Sequence, residues 1–247
     1  MTSAPLHRDA RHRALAQVGE LGQARIAGGS ALVVGVGGLG CAAAAYLASS
    51  GVGHLIVCDF DTVDLTNLSR QLLFGPADVG EPKALVAEKK LSQQNPDVRI
   101  SAIPDRLDDA AMADMVGQVD VVLDGTDSFS TRFRVNDACV NASRCLVSGS
   151  AIRLEGQLAV FGPDYSTSPC YRCLYTEADE SLTNCAGNGV LAPVPGVIGT
   201  LMAVEALKFL AAIDSPRGVL RLYEGGSGDF RSVTIPKRAD CAACSQG

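Results

Sequence analysis

Hydrophobic runs and helix-like segments alternate along the first part of this chain, up to about residue 150. Mostly apolar stretches over 31–36, 54–58 and 119–124 predict buried parallel strands, and the Ala-rich stretch after the first of them predicts a helix over 39–50. Strands that alternate with helices are typical of a doubly wound sheet with helices on both faces. The sequence therefore predicts a Rossmann-like α/β fold with a parallel N-terminal half.

The later hydrophobic runs predict a different arrangement. Strands are expected over 157–161, 219–223 and 231–236, around one helix over 197–212. Runs of strands with few helices between them favour antiparallel pairing, so we expect the sheet to continue as an antiparallel C-terminal half. Because 247 residues with 47% hydrophobic content can bury one large core, and no linker or repeat interrupts them, we predict a single domain.

Composition and charge exclude several classes of partner. Residues 26–58 and 185–204 lack Asp, Glu, Lys and Arg, but the strand-turn-helix-strand pattern of the first run and the two prolines of the second argue against membrane spans. A net charge of −6 disfavours nonspecific nucleic-acid binding. Nine cysteines, an odd number, without a signal peptide favour a reducing compartment. We expect a cytoplasmic protein that binds neither nucleic acid nor membrane.

A glycine-rich turn joins the first predicted strand to the first predicted helix. Gly35, Gly37, Gly38 and Gly40 allow the backbone to approach a ligand, and N–H groups at a helix N-terminus attract anionic oxygen. Asp59 ends the second strand, 19 residues after Gly40, and is placed to accept hydrogen bonds from a ribose. This pattern fits NAD or FAD as well as ATP. It also occurs where a helix simply packs tightly on a strand.

Two basic residues favour a triphosphate as the ligand. Asn67 and Arg70 follow Thr66, which we interpret as a helix cap, so their side chains would share one face of a short helix. Arg70 could clamp a triphosphate there; the alternative is a solvated surface charge. Lys83 stands at a predicted helix start, where the macrodipole disfavours a cation by about 0.3–1 kcal/mol. A cation at this unfavourable position indicates a bound polyphosphate, unless Glu81 neutralises the lysine.

Asp127 adds a candidate metal ligand. It follows the predicted strand 119–124, at the carboxyl edge of the sheet, where open α/β folds bind their ligands. A carboxylate beside a triphosphate suits Mg²⁺, which takes one or two protein carboxylates and completes its shell with phosphate and water. The alternative is that Asp127 caps the helix that begins near Phe129.

Together these motifs resemble the ThiF/MoeB/HesA family, the bacterial relatives of ubiquitin-activating enzymes, from about Arg8 to the C-terminus. Members bind ATP with Mg²⁺ and a small ubiquitin-like sulfur carrier that ends in Gly-Gly. They join the C-terminal carboxylate of the carrier to AMP and release pyrophosphate. The matching segments are 35–40, 59–71, 82–83, 124–127, 156–157, 170–173, 196–199 and 241–244.

The resemblance implies a role for each motif residue. It assigns Asn67, Arg70 and Lys83 to the triphosphate, Asp59 to the ribose and Asp127 to Mg²⁺. The carboxylate of the carrier is already ionised and nucleophilic, so the chemistry needs positioning and cationic stabilisation rather than a general base. The implied ATP site also includes Gly35, Gly37, Gly38, Gly40, Asp61 and Gln71.

By the same resemblance, Arg11 is the N-terminal arginine that reaches into the ATP site of the neighbouring subunit, and the protein is a homodimer. The family pattern Arg-Tyr-x-Arg-Gln reads Arg8-Asp-Ala-Arg11-His in this chain, so the tyrosine is missing. Without the resemblance, residues 8–13 are a basic, solvated terminal stretch.

The cysteines fall into two groups. Cys170 with Cys173, and Cys241 with Cys244, form two CxxC pairs that can present four thiolates to one tetrahedral Zn²⁺, a structural site; a redox dithiol or idle thiols are the alternatives. Cys185 lies alone in a polar stretch, where the resemblance implies a covalent link with the carrier in some members and a dispensable residue in others. The rest occupy apolar contexts and are expected to be buried: Cys41, Cys58, Cys139 and Cys145.

The resemblance also divides the single domain, 1–247. It implies an N-terminal helical arm over 1–27, a nucleotide-binding part over 28–164, and a carrier-binding and zinc part over 165–247 with a flexible loop near 176–192. Because the chain ends just after Cys244, sulfur is expected from a separate donor protein.

The carrier is the open question. Residues 149–157 resemble the molybdopterin-type enzymes, which act on a MoaD carrier, and we favour that assignment. Residues 220–225 and 231–232 resemble the thiamine-type enzymes, which act on ThiS, and another thiocarboxylate carrier is a further alternative. Two other classes stay open: a nicotinamide-dependent oxidoreductase, which explains the glycines and Asp59 alone, and a zinc-stabilised scaffold that binds a ubiquitin-like partner without turnover.

Overall fold

The computed structural model describes residues 7–176 and 189–245. Within them, the strands are Ser30–Val34 (β1), His54–Cys58 (β2), Arg99–Ile103 (β3), Val121–Asp124 (β4), Cys145–Ile152 (β5), Glu155–Phe161 (β6), Val219–Glu224 (β7) and Asp229–Thr234 (β8). They form one sheet in the order β3-β2-β1-β4-β5-β6-β7-β8. The first five strands pair in parallel, and β6, β7 and β8 continue the sheet in antiparallel pairs. The predicted Rossmann-like fold with an antiparallel second half is confirmed.

Helices cover both faces of this sheet. They are Ala10–Arg13 (α1), Gly19–Gly28 (α2), Gly38–Ser49 (α3), Lys83–Gln94 (α4), Asp109–Gly117 (α5), Phe129–Asn141 (α6), Tyr171–Leu174 (α7) and Pro193–Leu210 (α8), with 3₁₀ turns at Leu65–Asn67 and Pro76–Asp78. Side chains alternate along each strand, so β1 sends Ala31 and Val33 into a core under α3, α4 and α8, and Leu32 and Val34 into a second core under α5 and α6. Two hydrophobic cores therefore enclose the sheet.

Element boundaries agree closely with the sequence pattern. The strand β2 has the predicted bounds, and α6 begins at Phe129 as expected. Helix α8 begins four residues earlier than predicted, at Pro193. Proline fits the first turn of a helix because its missing N–H has no partner there in any case, so Pro193 and Pro195 start this helix rather than precede it.

Helix α8 is long and apolar enough to cross a membrane by length and composition alone. Half of that apolar window is buried in the fold. The helix packs against α3 and against β4, β5 and β6, which is also how the core helix of a soluble protein behaves.

The order of the strands creates the crevice in which the site lies. β1 lies between β2 and β4: the chain runs from β1 to β2 and β3 on one side, then crosses back to β4 on the other side. Ligands in open α/β folds bind at such a switch point, beyond the carboxyl ends of the strands. Val34 pairs with Asp124, and the N–H of Gly125 donates to the Val34 carbonyl at 2.9 Å, so the loops after β1 and β4 lie side by side.

Helix α8 approaches α3 most closely at Gly199. A Cβ at this position would lie 2.2 Å from the carbonyl oxygen of Leu39, a backbone atom of α3. The same helix carries Gly196, where a Cβ would meet nothing within 4 Å. The two glycines therefore form a matched pair on one helix.

We expect Gly199→Ala to lower the free energy of unfolding by about 1–3 kcal/mol, as overpacking against a fixed neighbour does. Gly196→Ala should leave stability unchanged or raise it by up to about 1 kcal/mol, because alanine is the better helix former. Urea denaturation monitored by circular dichroism measures both. Equal changes in the two variants would contradict the close approach at Gly199.

Candidate functional site

Asp59 holds the glycine turn in place from the end of β2. Its Oδ2 accepts the N–H of Val36 at 2.7 Å, and its Oδ1 accepts the N–H of Asp61 at 2.9 Å. The side chain is buried, and this burial raises the pKa of Asp59, against the lowering effects of Lys83 and the two N–H donors. A carboxylate has about four acceptor positions, so Asp59 retains acceptor capacity for a ligand hydroxyl after forming both bonds.

Three of the four motif glycines are required by the packing of the protein itself. Gly35 has a φ of +86°, Gly38 lies against Pro195, and a Cβ on Gly40 would come within 1.9 Å of the Gly35 carbonyl oxygen. Gly37 differs, because the nearest atom to its Cβ position lies 3.9 Å away. Its lack of a side chain leaves space at the mouth of the turn, where a ligand would approach.

Lys83 is buried at the first position of α4, as the sequence predicted. Its Nζ lies 3.1 Å from Oδ2 of Asp61, and its backbone N–H donates to the carbonyl of Asp61 at 2.9 Å. Asp61 therefore pairs with the lysine, and the alternative in which Glu81 neutralises it is wrong. The ion pair holds the ammonium group beside Asp59, at the edge of the glycine turn.

The segment around Arg70 differs from the prediction. Leu65–Asn67 form a single 3₁₀ turn, and Arg70 lies beyond its end, so the expected helix face shared with Asn67 does not exist. Asp64 is the cap in place of Thr66, because its carboxylate accepts the N–H of Thr66 at 2.8 Å. Nη1 of Arg70 donates to the Thr66 carbonyl at 3.1 Å. The half-buried arginine is thus held by its own turn, and its side chain passes close to Gly38.

Gln71 carries an unpaired acceptor in the site. The side chain is 3% exposed, and its Oε1 has no hydrogen-bond partner among the described residues. An unsatisfied buried acceptor costs about 1–3 kcal/mol, so such a group indicates a partner supplied from outside the chain. The side-chain nitrogen of Gln71 lies nearest to the Cβ position of Gly37. The amide of Gln71 therefore borders the open space at Gly37.

Asp127 is exposed in the loop between β4 and α6. Ser128, the next residue, caps α6, since its Oγ accepts the N–H of Thr131 at 3.3 Å. The alternative in which Asp127 caps this helix is therefore wrong. A Cβ on Gly35 would lie 3.1 Å from the carbonyl oxygen of Gly125, so the loop that carries Asp127 packs directly against the glycine turn.

Arg132 is a buried arginine that the sequence analysis did not select. It lies on α6 and is 7% exposed. Its Nε donates to the Thr126 carbonyl at 3.1 Å, one residue before Asp127. Nothing in the local sequence distinguishes it from Arg134 on the same helix, because burial is decided by which helix face meets the sheet.

The other predicted residues lie away from this cluster or outside the described residues. Arg11 is exposed on α1, and the neighbouring His12 joins α1 to α2 through a 3.0 Å contact between its Nδ1 and Oε1 of Gln23. Cys185 and most of the loop near 176–192 fall outside the described residues.

The two CxxC pairs come together, as predicted. The four sulfur atoms of Cys170, Cys173, Cys241 and Cys244 lie within 4.8 Å of one another, and all four residues are buried. Burial acts to raise the pKa of Cys241, but the backbone N–H groups of Cys244 and Ala243 outweigh it and lower that pKa to about 7. A group of thiols held this close could bind a metal ion.

The remaining described cysteines are buried and carry no disulfide, as expected. Burial raises the pKa of three of these thiols to about 12, which keeps them protonated and unreactive near neutral pH. These three are Cys41, Cys58 and Cys145, and burial raises the pKa of Cys139 in the same direction.

Curated proteins of known activity resemble this chain over most of its length. The sulfur carrier protein ThiS adenylyltransferase of Escherichia coli K12 is 44% identical over 223 residues, which cover 90% of this chain and 88% of that protein. The molybdopterin-synthase adenylyltransferase of the same strain is 44% identical over 226 residues, covering 91% and 90%. The adenylyltransferase and sulfurtransferase MOCS3 of Mus musculus is 45% identical over 97% of this chain, which spans 52% of that protein.

Solved structures show the same fold. The crystal structure of E. coli MccB with ATP superposes with a TM-score of 0.85, covering 98% of this chain and 75% of that chain at 24% sequence identity. At this identity the likeness concerns the fold alone. The ThiF family, however, matches residues 10–243, which is nearly the whole sequence. The chain belongs to the ThiF family.

Proposed function

We propose that this protein is an ATP-dependent adenylyltransferase that activates the C-terminal carboxylate of a ubiquitin-like sulfur-carrier protein ending in Gly-Gly. The observation that carries the proposal is the set of groups at the carboxyl edge of the sheet: the open turn at Gly37, bordered by the amide of Gln71, and the buried cation of Lys83 held by Asp61. Relatives named as adenylyltransferases of sulfur carriers, at 44% identity over nine-tenths of the chain, support this assignment.

The reaction balances without a proton transfer. The ionised carboxylate of the carrier attacks the α-phosphorus of ATP, a carboxylate oxygen–phosphorus bond forms, and the bond between the α-phosphorus and the bridging oxygen breaks. Pyrophosphate leaves with that electron pair, and the product is the acyl adenylate of the carrier. The barrier comes from bringing two anions together, so the residues of the site need to position the reactants and offset negative charge.

Each site residue has a place in this scheme. Arg70 and Lys83 bind the triphosphate with Asn67, and Asp59 accepts from the ribose. Asp127 would hold Mg²⁺, which when bound neutralises phosphate charge. We further propose a homodimer in which Arg11 reaches the partner's site, and a covalent link between Cys185 and the carrier.

We favour a MoaD-type carrier and molybdopterin biosynthesis, with a ThiS-type carrier and thiamine biosynthesis as the alternative. The relatives named for the two pathways are equally identical to this chain, at 44%, so the assignment depends on the segment 149–157 that resembles the molybdopterin type. The free buried thiols support a reducing cytoplasm as the location.

We also propose that the four clustered cysteines bind one structural Zn²⁺. Four sulfur donors complete a tetrahedral shell and leave no position for a substrate. The spacing of the sulfur atoms supports this: the Cys170–Cys241 and Cys173–Cys244 pairs are each separated by 3.6 Å, a distance compatible with two thiolates on one ion. The ion would fasten residues 241–244 to the domain.

Purified protein should contain about one zinc ion per chain, measured by inductively coupled plasma mass spectrometry. Cys173→Ser should lose the ion and lower the melting temperature, because it removes one of four ligands. Cys58→Ser is the matched control, since Cys58 is equally buried but lies outside the cluster. Retention of metal by Cys173→Ser would contradict the site.

Carrier-dependent exchange of pyrophosphate into ATP tests the reaction. Wild-type protein should catalyse exchange with a MoaD-type carrier, and Arg70→Ala should lower the rate by about 100- to 1000-fold, the usual cost of one electrostatic donor to the transition state. Arg99→Ala is the control, because Arg99 is exposed at the amino end of β3, on the opposite edge of the sheet.

Exchange with a ThiS-type carrier alone would assign the protein to thiamine biosynthesis. Binding of either carrier without exchange would contradict the enzyme and favour the scaffold. Fluorescence titration with NADH, run beside ATP, tests the oxidoreductase alternative, and we expect no binding of NADH.

Gly37→Ala should weaken ATP binding at least tenfold and leave the melting temperature unchanged. The reason is that a methyl group fits the free protein at this position but fills the space at the mouth of the turn. Isothermal titration calorimetry and thermal denaturation measure the two effects. Gly117→Ala, at a position equally free of neighbours at the end of α5, should change neither. Unchanged ATP affinity in Gly37→Ala would contradict the proposed approach of the nucleotide.

A further inference from the structure

The loop from Asp124 to Asp127 is held from its inner side by a buried carboxylate. Asp124 is completely buried, and its Oδ1 accepts the N–H of Thr126 at 3.1 Å and the hydroxyl of Thr126 at 2.7 Å. Its Oδ2 lies 3.5 Å from the Ser148 hydroxyl. Asp124 thereby fixes the amide and the side chain of the residue that precedes Asp127.

Arg132 holds the same loop from the other side. Its Nε donates to the carbonyl oxygen of Thr126 at 3.1 Å, and its Nη2 donates to the same atom. This carbonyl belongs to the peptide unit that joins Thr126 to Asp127. With its N–H, hydroxyl and carbonyl all bonded, Thr126 has little freedom, so the direction in which the chain enters Asp127 is set by Arg132 and Asp124 together.

Arg132 is itself held in one position. It lies among the side chains of α6 and α7: its Nη1 is 3.4 Å from the hydroxyl of Tyr171, and its guanidinium carbon is 6.0 Å from the ring centre of Phe129. Burying a guanidinium is costly unless its charge and donors are satisfied. Attraction to Asp124 and the two bonds to Thr126 supply that compensation.

Tyr171 connects this arrangement to the cysteine cluster. Its backbone N–H donates to Oδ1 of Asn136 at 2.8 Å, and Nδ2 of Asn136 points to the sulfur of Cys170 at 3.7 Å. The support for the Asp127 loop therefore extends through α6 to the segment that begins the first CxxC pair, and does not depend on an exposed side chain.

We propose that Arg132 is a positioning residue for Mg²⁺: by fixing the Thr126 carbonyl, it holds the Asp127 carboxylate in the direction in which it receives the ion with the bound triphosphate. This rests on the proposed function, in which Asp127 is the Mg²⁺ ligand. Replacing a residue that orients a metal ligand typically lowers metal affinity or activity by about 10- to 100-fold. The simpler account is that Arg132 only neutralises Asp124, and a variant that keeps the charge separates the two.

Arg132→Lys is that variant. It retains a cation beside Asp124, but a lysine lacks the planar pair of donors that meets the Thr126 carbonyl. We expect the Mg²⁺ concentration for half-maximal ATP binding, measured by calorimetry without the carrier, to rise about tenfold. Arg132→Met should raise it by up to about 100-fold. In pyrophosphate exchange, the KM for the carrier should stay at its wild-type value in both.

Arg134→Lys is the matched control. Arg134 lies on the same helix and donates from its Nη2 to a backbone carbonyl, that of Leu107, at 2.6 Å, and from its Nε to Asp109, away from the Asp127 loop. We expect its Mg²⁺ dependence to equal that of wild type. Circular dichroism and thermal denaturation of every variant report on folding.

The outcomes separate this inference from the proposed function. Absence of exchange in the wild type would overturn the function, whereas the Mg²⁺ dependence of ATP binding tests Arg132 without any carrier. A wild-type Mg²⁺ dependence in Arg132→Lys, or an equal shift in Arg134→Lys, would overturn the positioning role. If Arg132→Met does not fold, the Mg²⁺ dependence of Arg132→Lys alone tests the positioning role. Loss of folding in both variants would assign Arg132 to stability alone and would also overturn the proposal.

Discussion

The hydrogen bonds from the Val36 and Asp61 N–H groups to the Asp59 carboxylate are the constraint on which the rest of the site depends. Asp59 ends β2 and Val36 belongs to the turn after β1, so one buried side chain fastens two neighbouring strand ends. The same carboxylate fixes the backbone of Asp61, whose side chain pairs with Lys83. The shape of the glycine turn and the position of the lysine therefore follow from one group. Its burial raises the pKa of Asp59, and the nearby ammonium of Lys83 opposes that rise.

This arrangement shows how a protein with a net charge of −6 can carry a site of the kind proposed for a polyanion. Lys83 is buried and already oriented by Asp61, so a triphosphate meets an ammonium that does not have to be reorganised. Asp61 is itself mostly exposed, with a side-chain exposure of 55%, so its carboxylate stays solvated while it orients the lysine. Arg70 is similarly held by the Thr66 carbonyl of its own turn. This hydrogen bond is exposed to solvent, so breaking it to bind a phosphate costs little free energy. The cations that would meet a polyanion are thus fixed locally by Asp61 and by the turn of Arg70, and do not depend on the charge of the whole chain.

The sequence was sufficient to predict those features that depend on local pattern. Buried parallel strands such as β2 and the proline-led start of α4 follow from hydrophobic runs and helix-start rules. The CxxC spacing identified four thiols that the fold brings within 4.8 Å across the 67 residues that separate Cys173 from Cys241. Strand β3 was not identified, because it is only partly buried and its apolar pattern is weak.

Two of the errors arose where neighbouring residues have similar capping propensities. Asp64 and Thr66, like Asp127 and Ser128, are all good caps, and backbone geometry decides between them. The unpaired oxygen of Gln71 and the burial of Arg132 depend on packing between distant segments, which no local pattern contains.

Helix α6 connects the loop of Asp127 to the cysteine cluster. The N-terminal part of α6 carries Arg132, which supports the Asp127 loop; one turn later Asn136 reaches Cys170, and Asp137 pairs with Arg172 at 2.7 Å inside the first CxxC motif. One helix therefore contacts both the loop of Asp127 and the first CxxC motif. Because β8 is exposed along its whole length, the cluster also supplies a fixed point for the chain that follows this edge strand. The sheet edge proposed to bind the nucleotide and the four clustered thiols are thus connected by one helix.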